Sequence, residues 1–573
     1  MYKFDAIIIG GGLAGLRAAY ELASNNIKTA IISKVYPIRS HSIAAQGGVN
    51  APLNNIEREI ADDWEKHAYD TIKGSDYLGD QDAIIKMCKE ATNRIYEIEH
   101  WGCPFSRTDD GRISQRPFGG QGFPRTAYAA DRTGHAMLHT LFEQIIRINE
   151  ENKCLTFFDE WFVTRLIVED NSIRGLIALE LKIGDLHAFK TDAVIIATGG
   201  AGRLYGKSTN ALINTGTGMA IAYWAGADLK DMEFIQFHPT TLYGTNILVT
   251  EGARGEGAYL LNKNGERFLS NYDDSKKSME IAPRDIVSRN MIREIKKGNA
   301  INGQYLLLDL RHIGKKAIME RLPGVVELAG KFAGINAITE QIPVEPGQHY
   351  TMGGIDVDIN CRTKINGLCA AGEAACVSVH GANRLGGNSL LETIVFGAIA
   401  GENTVKYLSS NKKGNNSAIL IESAIKEEKE ETNHFFERDG KENVFTLFEE
   451  MNSVMWNNAG IFREEAQLKD GLKNLRNIKE RCNNIEIRYK GKRFNFELYW
   501  LLELIGSINI AEAVIMGAIE RKESRGSHYR NDYPKRDDEN YLKHTIASYS
   551  PEGAKLSYKP VTLGFIGPAE RKY

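Results

Sequence analysis

IIIGGGLAGLRAAYELA, Ile7 to Ala23, carries an apolar run through three consecutive glycines into a helical pattern. The run Ala6 to Ile9 reads as a buried strand, and Gly10, Gly12 and Gly15 follow it at the spacing GxGxxG. In a strand, turn and helix of this kind each glycine has a mechanical task. Gly10 makes the tight turn, Gly12 lets the backbone approach a pyrophosphate, and Gly15 lets helix pack on strand. The helix N-terminus, with Ala14 in its first turn, faces the anion. The stretch therefore predicts a dinucleotide site at the head of a Rossmann-like α/β domain. The acidic residue that the fingerprint places about 20 residues further on, for a ribose, is missing. The second strand TAIIS ends instead in Ser33 and Lys34, and Ser33 is the candidate substitute.

At 573 residues the chain exceeds the size of one core, so several domains are expected. A net charge of −3, with 25% charged and 42% hydrophobic residues, describes a globular protein without the basic excess that nucleic acid demands. No window holds the roughly 18 consecutive apolar residues of a membrane span, and the first apolar run is used by the nucleotide strand rather than by a signal peptide. A cytosolic or cytosol-facing chain is expected. The cysteines, Cys88, Cys103, Cys154, Cys361, Cys369, Cys376 and Cys482, show no CxxC spacing, so no zinc site or iron–sulfur cluster is predicted and no metal ligand is assigned.

Further along, AVIIATGGAGR, Ala193 to Arg203, repeats the strand-to-glycine-turn pattern, with Gly199 in the turn. From about Phe237 the texture changes to short strands and turns. AYLLNKNGERFL, Ala258 to Leu269, reads as a hairpin with Asn264 and Gly265 at its tip, and Tyr305 to Leu310 reads as a strand. GLCAAGEAACVSVHGANRLGGNSLLE, Gly367 to Glu392, returns to strand and glycine-turn chemistry, so the nucleotide domain is expected to be discontinuous. Leu408 to Ser417, LSSNKKGNNS, has linker composition; KEEKEE, Lys426 to Glu431, is a solvated helix face; and Val444, Leu447, Phe448, Met451 and Met455 recur at helical spacing.

Just after the first glycine loop lies RSHSIAAQGG, Arg39 to Gly48. With this segment the chain resembles the flavoprotein subunits of succinate dehydrogenase and fumarate reductase, and ESRGSHYRNDYPKRDDENYLKHT, Glu523 to Thr545, extends the resemblance to nearly the whole chain. The resemblance implies a two-dinucleotide-type FAD-binding domain (residues 1–236 and 349–407) with an inserted α+β capping domain (237–348). A helical domain (418–525) and a small C-terminal domain (526–573) would follow. It implies FAD joined covalently to His41, with further contacts from Ser33, Lys34, Ser40, Gln46, Gly47, Gly48, Gly199, Glu373, Ser389 and Leu390. Thr217 stands where many members carry an aspartate that contacts FAD, so no contact is assigned there.

The resemblance also implies the chemistry. A dicarboxylate needs cationic and hydrogen-bonding groups at both ends, and His238 in QFHPTTL, Thr250 in LVTEGARGEG, His349 in HYTMGG and Arg384 in HGANRLGGNS match substrate positions of the family. Arg384 is suited to grip a carboxylate through two parallel hydrogen bonds. Arg284 in APRDIVSR matches the acid–base position, and Glu251 and Arg254 match its proton relay. An arginine, with a reference pKa above about 12, serves as acid–base only where neighbouring cations and burial destabilise its charged form. The implied reaction is succinate to fumarate, with a proton to Arg284 and a hydride to the flavin, or the reverse.

Without clusters of its own, such a chain implies an iron–sulfur partner subunit and, through it, membrane anchor subunits and quinone on the cytoplasmic side of the cell membrane. The alternative is a stand-alone flavoenzyme like L-aspartate oxidase with non-covalent FAD. Against it stand His41, which would have no purpose there, and apolar Phe118 in RPFGGQ, where the oxidase carries a glutamate for the substrate ammonium. A non-catalytic flavin scaffold would show erosion of Arg284, Glu251 and Arg254, and all three are present.

Overall fold

The computed structural model describes residues 1–56, 59–411 and 417–570. Its organising element is a five-stranded parallel sheet. Strand β1 (Ala6–Ile9) leads through the glycine turn into helix α1 (Leu13–Ser24) and returns as β2 (Thr29–Ser33). Strands β3 (Leu155–Asp159), β4 (Ala193–Ile196) and β5 (Leu368–Ala370) complete the order β5-β4-β1-β2-β3. Strands β1, β4 and β5 are buried throughout, as a parallel sheet covered on both faces requires. Helix α1 packs along α2 (Asn388–Ser410), which follows β5 after the second glycine-rich turn.

Two glycines set the geometry of the first turn. Gly10 has φ +112°, and a Cβ there would stand 2.2 Å from Ala197 O at the end of β4. A Cβ on Gly15 would stand 2.0 Å from Gly10 O, so helix and strand approach only because it is absent. Gly10→Ala is therefore expected to destabilise the protein by about 2 kcal/mol or more, read as a lowered thermal midpoint together with lost nucleotide binding. An unchanged midpoint would refute this account of the turn.

Between β4 and β5 the chain builds a second unit with its own apolar core, drawn from residues between Leu242 and Val344. Its antiparallel sheet runs in the order Ile235–Leu242, Ile342–Thr351, Leu306–Asp309, Tyr259–Leu261. The strand at Tyr305 to Leu310 is present, but the hairpin at Asn264–Gly265 is not. Tyr259–Leu261 pairs with Leu306–Asp309, and the far side of the turn is a 3-10 segment, Phe268–Asn271. The physical reason lies in Asn262 and Phe268. The Asn262 side chain accepts from the N–H groups of Asn264 and Glu266 and closes the turn, while adjacent Phe268 and Leu269 are both fully buried, which strand alternation forbids.

Four long helices follow: Ala418–Glu437, Val444–Asn458, Glu465–Arg481 and Phe496–Glu520. Val444, Leu447, Phe448, Met451 and Met455 form the buried stripe of the second. The linker expected at Leu408 to Ser417 begins later, because Leu408 to Ser410 form the last turn of α2; residues 412–416 lie outside the described residues. The expectation that no segment suits a membrane also needs correction. Phe496–Glu520 is long and apolar enough by length and composition, with a mean hydropathy of 1.6, but 78% of that window is buried inside the protein. It is hydrophobic all round because protein surrounds it, as in the core helix of a large fold.

The C-terminal strands Lys543–Ser548 and Lys555–Pro560 extend a sheet that contains Leu229–Lys230 and Gly354–Asp356. Here buried His544 sits between Asp231 (Nδ1 to Oδ2, 2.7 Å) and Asp80 (Nε2 to Oδ1, 3.2 Å). Burial alone would lower its pKa, but the two carboxylates push it up to about 9. A folded-state pKa above the ordinary 6.5 means that the stabilisation is complete below that value and is lost as pH rises through about 9. The thermal midpoint advantage of the native chain over His544→Gln is thus expected to shrink between about pH 6 and about pH 10. An advantage that does not change with pH would contradict this.

Candidate active site

A single cavity of about 1610 Å³ runs from the Gly10 turn past His41 to Arg284 and Arg384. Its nucleotide end is lined by Gly10, Gly12 and Ala14 at the start of α1, by Ser33 and Lys34 at the end of β2, and by Thr198 and Gly199 after β4. Ser389 and Leu390, in the first turn of α2, and Glu373 line it from the β5 side. Gly15 lies behind this wall, where its task is the close packing described above. Burial pushes the Glu373 carboxyl up to about 8, so at neutral pH it carries a proton that it can donate.

His41 opens a short 3-10 segment, His41–Ala44, on the cavity wall. The Ala211 N–H donates to its Nδ1 at 3.3 Å, which fixes Nδ1 as the acceptor nitrogen and leaves Nε2 as the ring nitrogen without that engagement. Burial and the Arg203 guanidinium bring its pKa down to about 4, so the imidazole is neutral. Gln46 is anchored by donating to Leu248 O at 3.0 Å, and Gly47 O accepts from the buried Arg116 guanidinium.

At the other end three buried arginines converge. Arg284, the first residue of helix Arg284–Lys296, donates from Nε to Glu251 Oε2 at 2.5 Å. Arg254 Nη2 lies 4.0 Å from Glu251 Oε1, and Arg384 comes from the turn before α2. Burial would raise the Glu251 pKa, but Arg284 and Arg254 hold it below the ordinary carboxylate value. Three guanidiniums thus share one ionised carboxylate, and the remaining positive charge is the complement of a dianion. Burial, reinforced by Arg284, lowers Arg384 to about 10.

Around these cations the hydrogen-bonding groups are held in place. Thr250 caps the short helix Glu251–Gly255 by accepting from the Gly252 N–H at 3.1 Å, which leaves its own hydroxyl hydrogen to donate. His238 Nδ1 is occupied by Thr240 and His349 Nδ1 by Thr209, and the rings lie 4.9 Å apart. Burial and the neighbouring cations hold both well below the ordinary imidazole pKa, so both are neutral. Phe118, packed against Gly47 and Gly386, forms the apolar wall.

A family model for an FAD binding domain matches residues 5–390, and a model for the fumarate reductase flavoprotein C-terminus matches residues 448–573. A fumarate reductase flavoprotein subunit from Mycobacterium tuberculosis is 43% identical over 590 residues, covering 100% of this chain and 99% of the relative. The chain belongs to the succinate dehydrogenase and fumarate reductase flavoprotein family. A succinate dehydrogenase flavoprotein subunit from Rickettsia conorii is 44% identical, covering 98% of this chain and 96% of the relative. Among solved structures, a variant of E. coli quinol fumarate reductase superposes with a TM-score of 0.94 at 42% identity, covering 100% of this chain and 98% of that one.

The residues of this family member fit FAD on physical grounds of their own. Two glycines clear the approach to the nucleotide turn, and buried Ser40 Oγ, Gln46 Oε1 and Thr198 Oγ1 on the cavity wall have no partner in the protein. Buried polar atoms are costly when unpaired, so a cavity that leaves several facing inward is built for a polar ligand. All seven cysteines are buried and unpaired. Among the described residues no three His, Cys, Asp or Glu side chains gather as a metal site.

One residue of the site escaped the sequence. Gln236, two positions before His238 on the same strand, accepts through Oε1 from Arg284 (3.1 Å) and from Arg384 (3.0 Å). Its Nε2 donates to Asn383 Oδ1 and Arg384 O, so both ends of the amide are fixed. The signal was present, because a polar residue beside His238 in QFHPTTL is costly in a buried strand unless it is used. Gln236→Leu is expected to raise KM for the dicarboxylate and lower kcat together, by about tenfold or more in kcat/KM, because both cations lose their shared acceptor. Kinetics equal to the native chain would remove Gln236 from the site.

Proposed function

We propose that this chain interconverts succinate and fumarate with FAD joined covalently to His41, and exchanges electrons with a separate iron–sulfur subunit. In this proposal partner subunits hold it at the cytoplasmic side of a membrane and link it to quinone. The observation that carries the proposal is the cluster of Arg254, Arg284 and Arg384 around the single carboxylate of Glu251, beside a neutral His41 in a flavin-sized cleft.

When bound, FAD supplies the hydride acceptor and donor. Arg384, whose Nε has no partner in the protein, binds one substrate carboxylate through parallel hydrogen bonds and so fixes its plane. His238, His349 and the Thr250 hydroxyl orient the remaining oxygens. This clamping matters because hydride transfer requires the reacting carbon within about 3 to 3.5 Å of its partner. Arg284 moves the proton at the adjacent carbon, Glu251 exchanges it at Oε2, and Arg254 carries it onward. Phe118 excludes water and offers no group to an ammonium, which favours succinate over aspartate. The same groups serve both directions, and the partner clusters and carrier set the flow.

The deciding experiment is the intact mass of the chain purified from its host and denatured. A retained FAD adduct on the His41 peptide, with succinate rather than aspartate reducing the flavin, is expected. A bare chain with free FAD and aspartate as the donor would replace the proposal with an L-aspartate oxidase activity.

A further inference from the structure

Helix Phe496–Glu520 carries a carboxylate that the chemistry above does not use. Glu503 is fully buried, and its oxygens meet Lys34 Nζ at 2.6 Å and the hydroxyls of Thr215 and Thr217 at 2.5 Å each. Lys34 follows the last residue of β2, and Thr217 opens helix Thr217–Trp224; both line the nucleotide end of the cavity. The contact is close. Ser507, one turn beyond Glu503, donates to Thr215 O at 2.9 Å, and a Cβ on Gly506 would stand 2.9 Å from Thr217 Cγ2. Lys34 also lies over the Phe162 ring, 5.2 Å from its centroid.

A carboxylate buried this deeply is costly unless it is paired and hydrogen-bonded, and three partners at these distances meet that demand. Their arrangement has consequences for the cavity. Because each threonine hydroxyl has one hydrogen, and Glu503 takes it, Thr217 can offer the cavity only lone pairs. Lys34 is neutralised in place and cannot turn its charge elsewhere. An acceptor at the end of the second strand is what the dinucleotide fingerprint normally provides through an acidic residue that receives a ribose hydroxyl. This chain has no acid at that point of β2.

We infer that Glu503 is a positioning residue for the nucleotide half of FAD, acting from outside the glycine-loop domain through Lys34 and Thr217. It orients the Thr217 hydroxyl as an acceptor for a ribose O–H or adenine N–H. Docking of helix Phe496–Glu520 and binding of the nucleotide are therefore one event. The inference rests on FAD as the cofactor but not on its covalent attachment.

The test uses the full-length chain with His41→Ser, so that FAD binds reversibly, and reads FAD affinity by fluorescence titration and ADP affinity by competition. Adding Glu503→Gln is expected to weaken FAD and ADP by the same factor, about tenfold. Thr217→Val, which leaves Glu503 paired with Lys34 and Thr215, is expected to weaken both as well, and Thr217→Ser to restore them. Thermal midpoints of the ligand-free chains are measured in parallel. Lowered midpoints with unchanged FAD and ADP affinities in both Glu503→Gln and Thr217→Val would overturn the inference and leave a purely structural ion pair. Failure of the His41→Ser reference itself to bind FAD would overturn the cofactor assignment together with the inference.

Discussion

Arg284→Gln is expected to lower kcat for fumarate reduction and for succinate oxidation together, by about a thousandfold, the middle of the range for loss of a general acid–base. FAD content should not change, because Arg284 lies at the dicarboxylate end of the cleft, away from the Gly10 turn. Glutamine keeps hydrogen-bonding capacity toward Glu251 and Gln236 but has no proton to exchange, so the loss should fall mainly on kcat. Some rise in KM is expected as well, since one of the cations facing the dianion disappears. Arg284→Lys separates charge from proton chemistry: it restores a cation but not the planar donor set that reaches both Glu251 and Gln236. Lysine also loses its proton near a reference value of about 10.4, well below arginine. Fumarate reduction, which needs the protonated form, should therefore fall off at lower pH in Arg284→Lys than in the native chain. Steady-state rates across pH check both points, and an Arg284→Gln chain within about threefold of native kcat would remove Arg284 from the chemistry.

The parts of this molecule that were legible in sequence are those fixed by local stereochemistry. Gly10 and Gly15 announce their turn because no other residue fits, and the strand-to-glycine pattern at Ala193 to Arg203 has the same origin. The residues of the dicarboxylate end stood in short motifs whose chemistry makes sense one motif at a time. Illegible were the partners that join the motifs. Gln236 looks like an ordinary strand residue until two arginines from separate elements meet on its oxygen. Glu503 lies 469 positions from Lys34, inside a helix that composition alone would place in a membrane. The misplaced hairpin at Asn264 has the same cause at shorter range: the turn was read correctly, but burial of Phe268 and Leu269 in the second core decided what followed it.

His41→Ser is expected to leave FAD bound without a covalent link and to separate the two directions of the reaction. Serine offers no nucleophilic ring nitrogen, whereas neutral His41, with Nδ1 occupied by the Ala211 N–H, presents Nε2 for attachment; an Nε2-substituted imidazole keeps this hydrogen bond unchanged. Binding itself is shared among the Gly10 turn, the helix N-termini and the inward-facing polar atoms of Ser40, Gln46 and Thr198, so loss of one bond should not release the cofactor. What changes is the potential. An electron-withdrawing imidazole on the ring raises it, and for a two-electron couple each 30 mV lost shifts the equilibrium by about tenfold. Succinate, an unactivated donor, then no longer reduces the flavin effectively, while fumarate reduction from a stronger reductant continues in part. The expected result is free FAD on denaturation, succinate oxidation reduced by about a hundredfold or more, and fumarate reduction within about tenfold of native. Equal losses in both directions would mean that His41 acts by placing the ring rather than by setting its potential. Undiminished succinate oxidation would mean that attachment has no part in the chemistry.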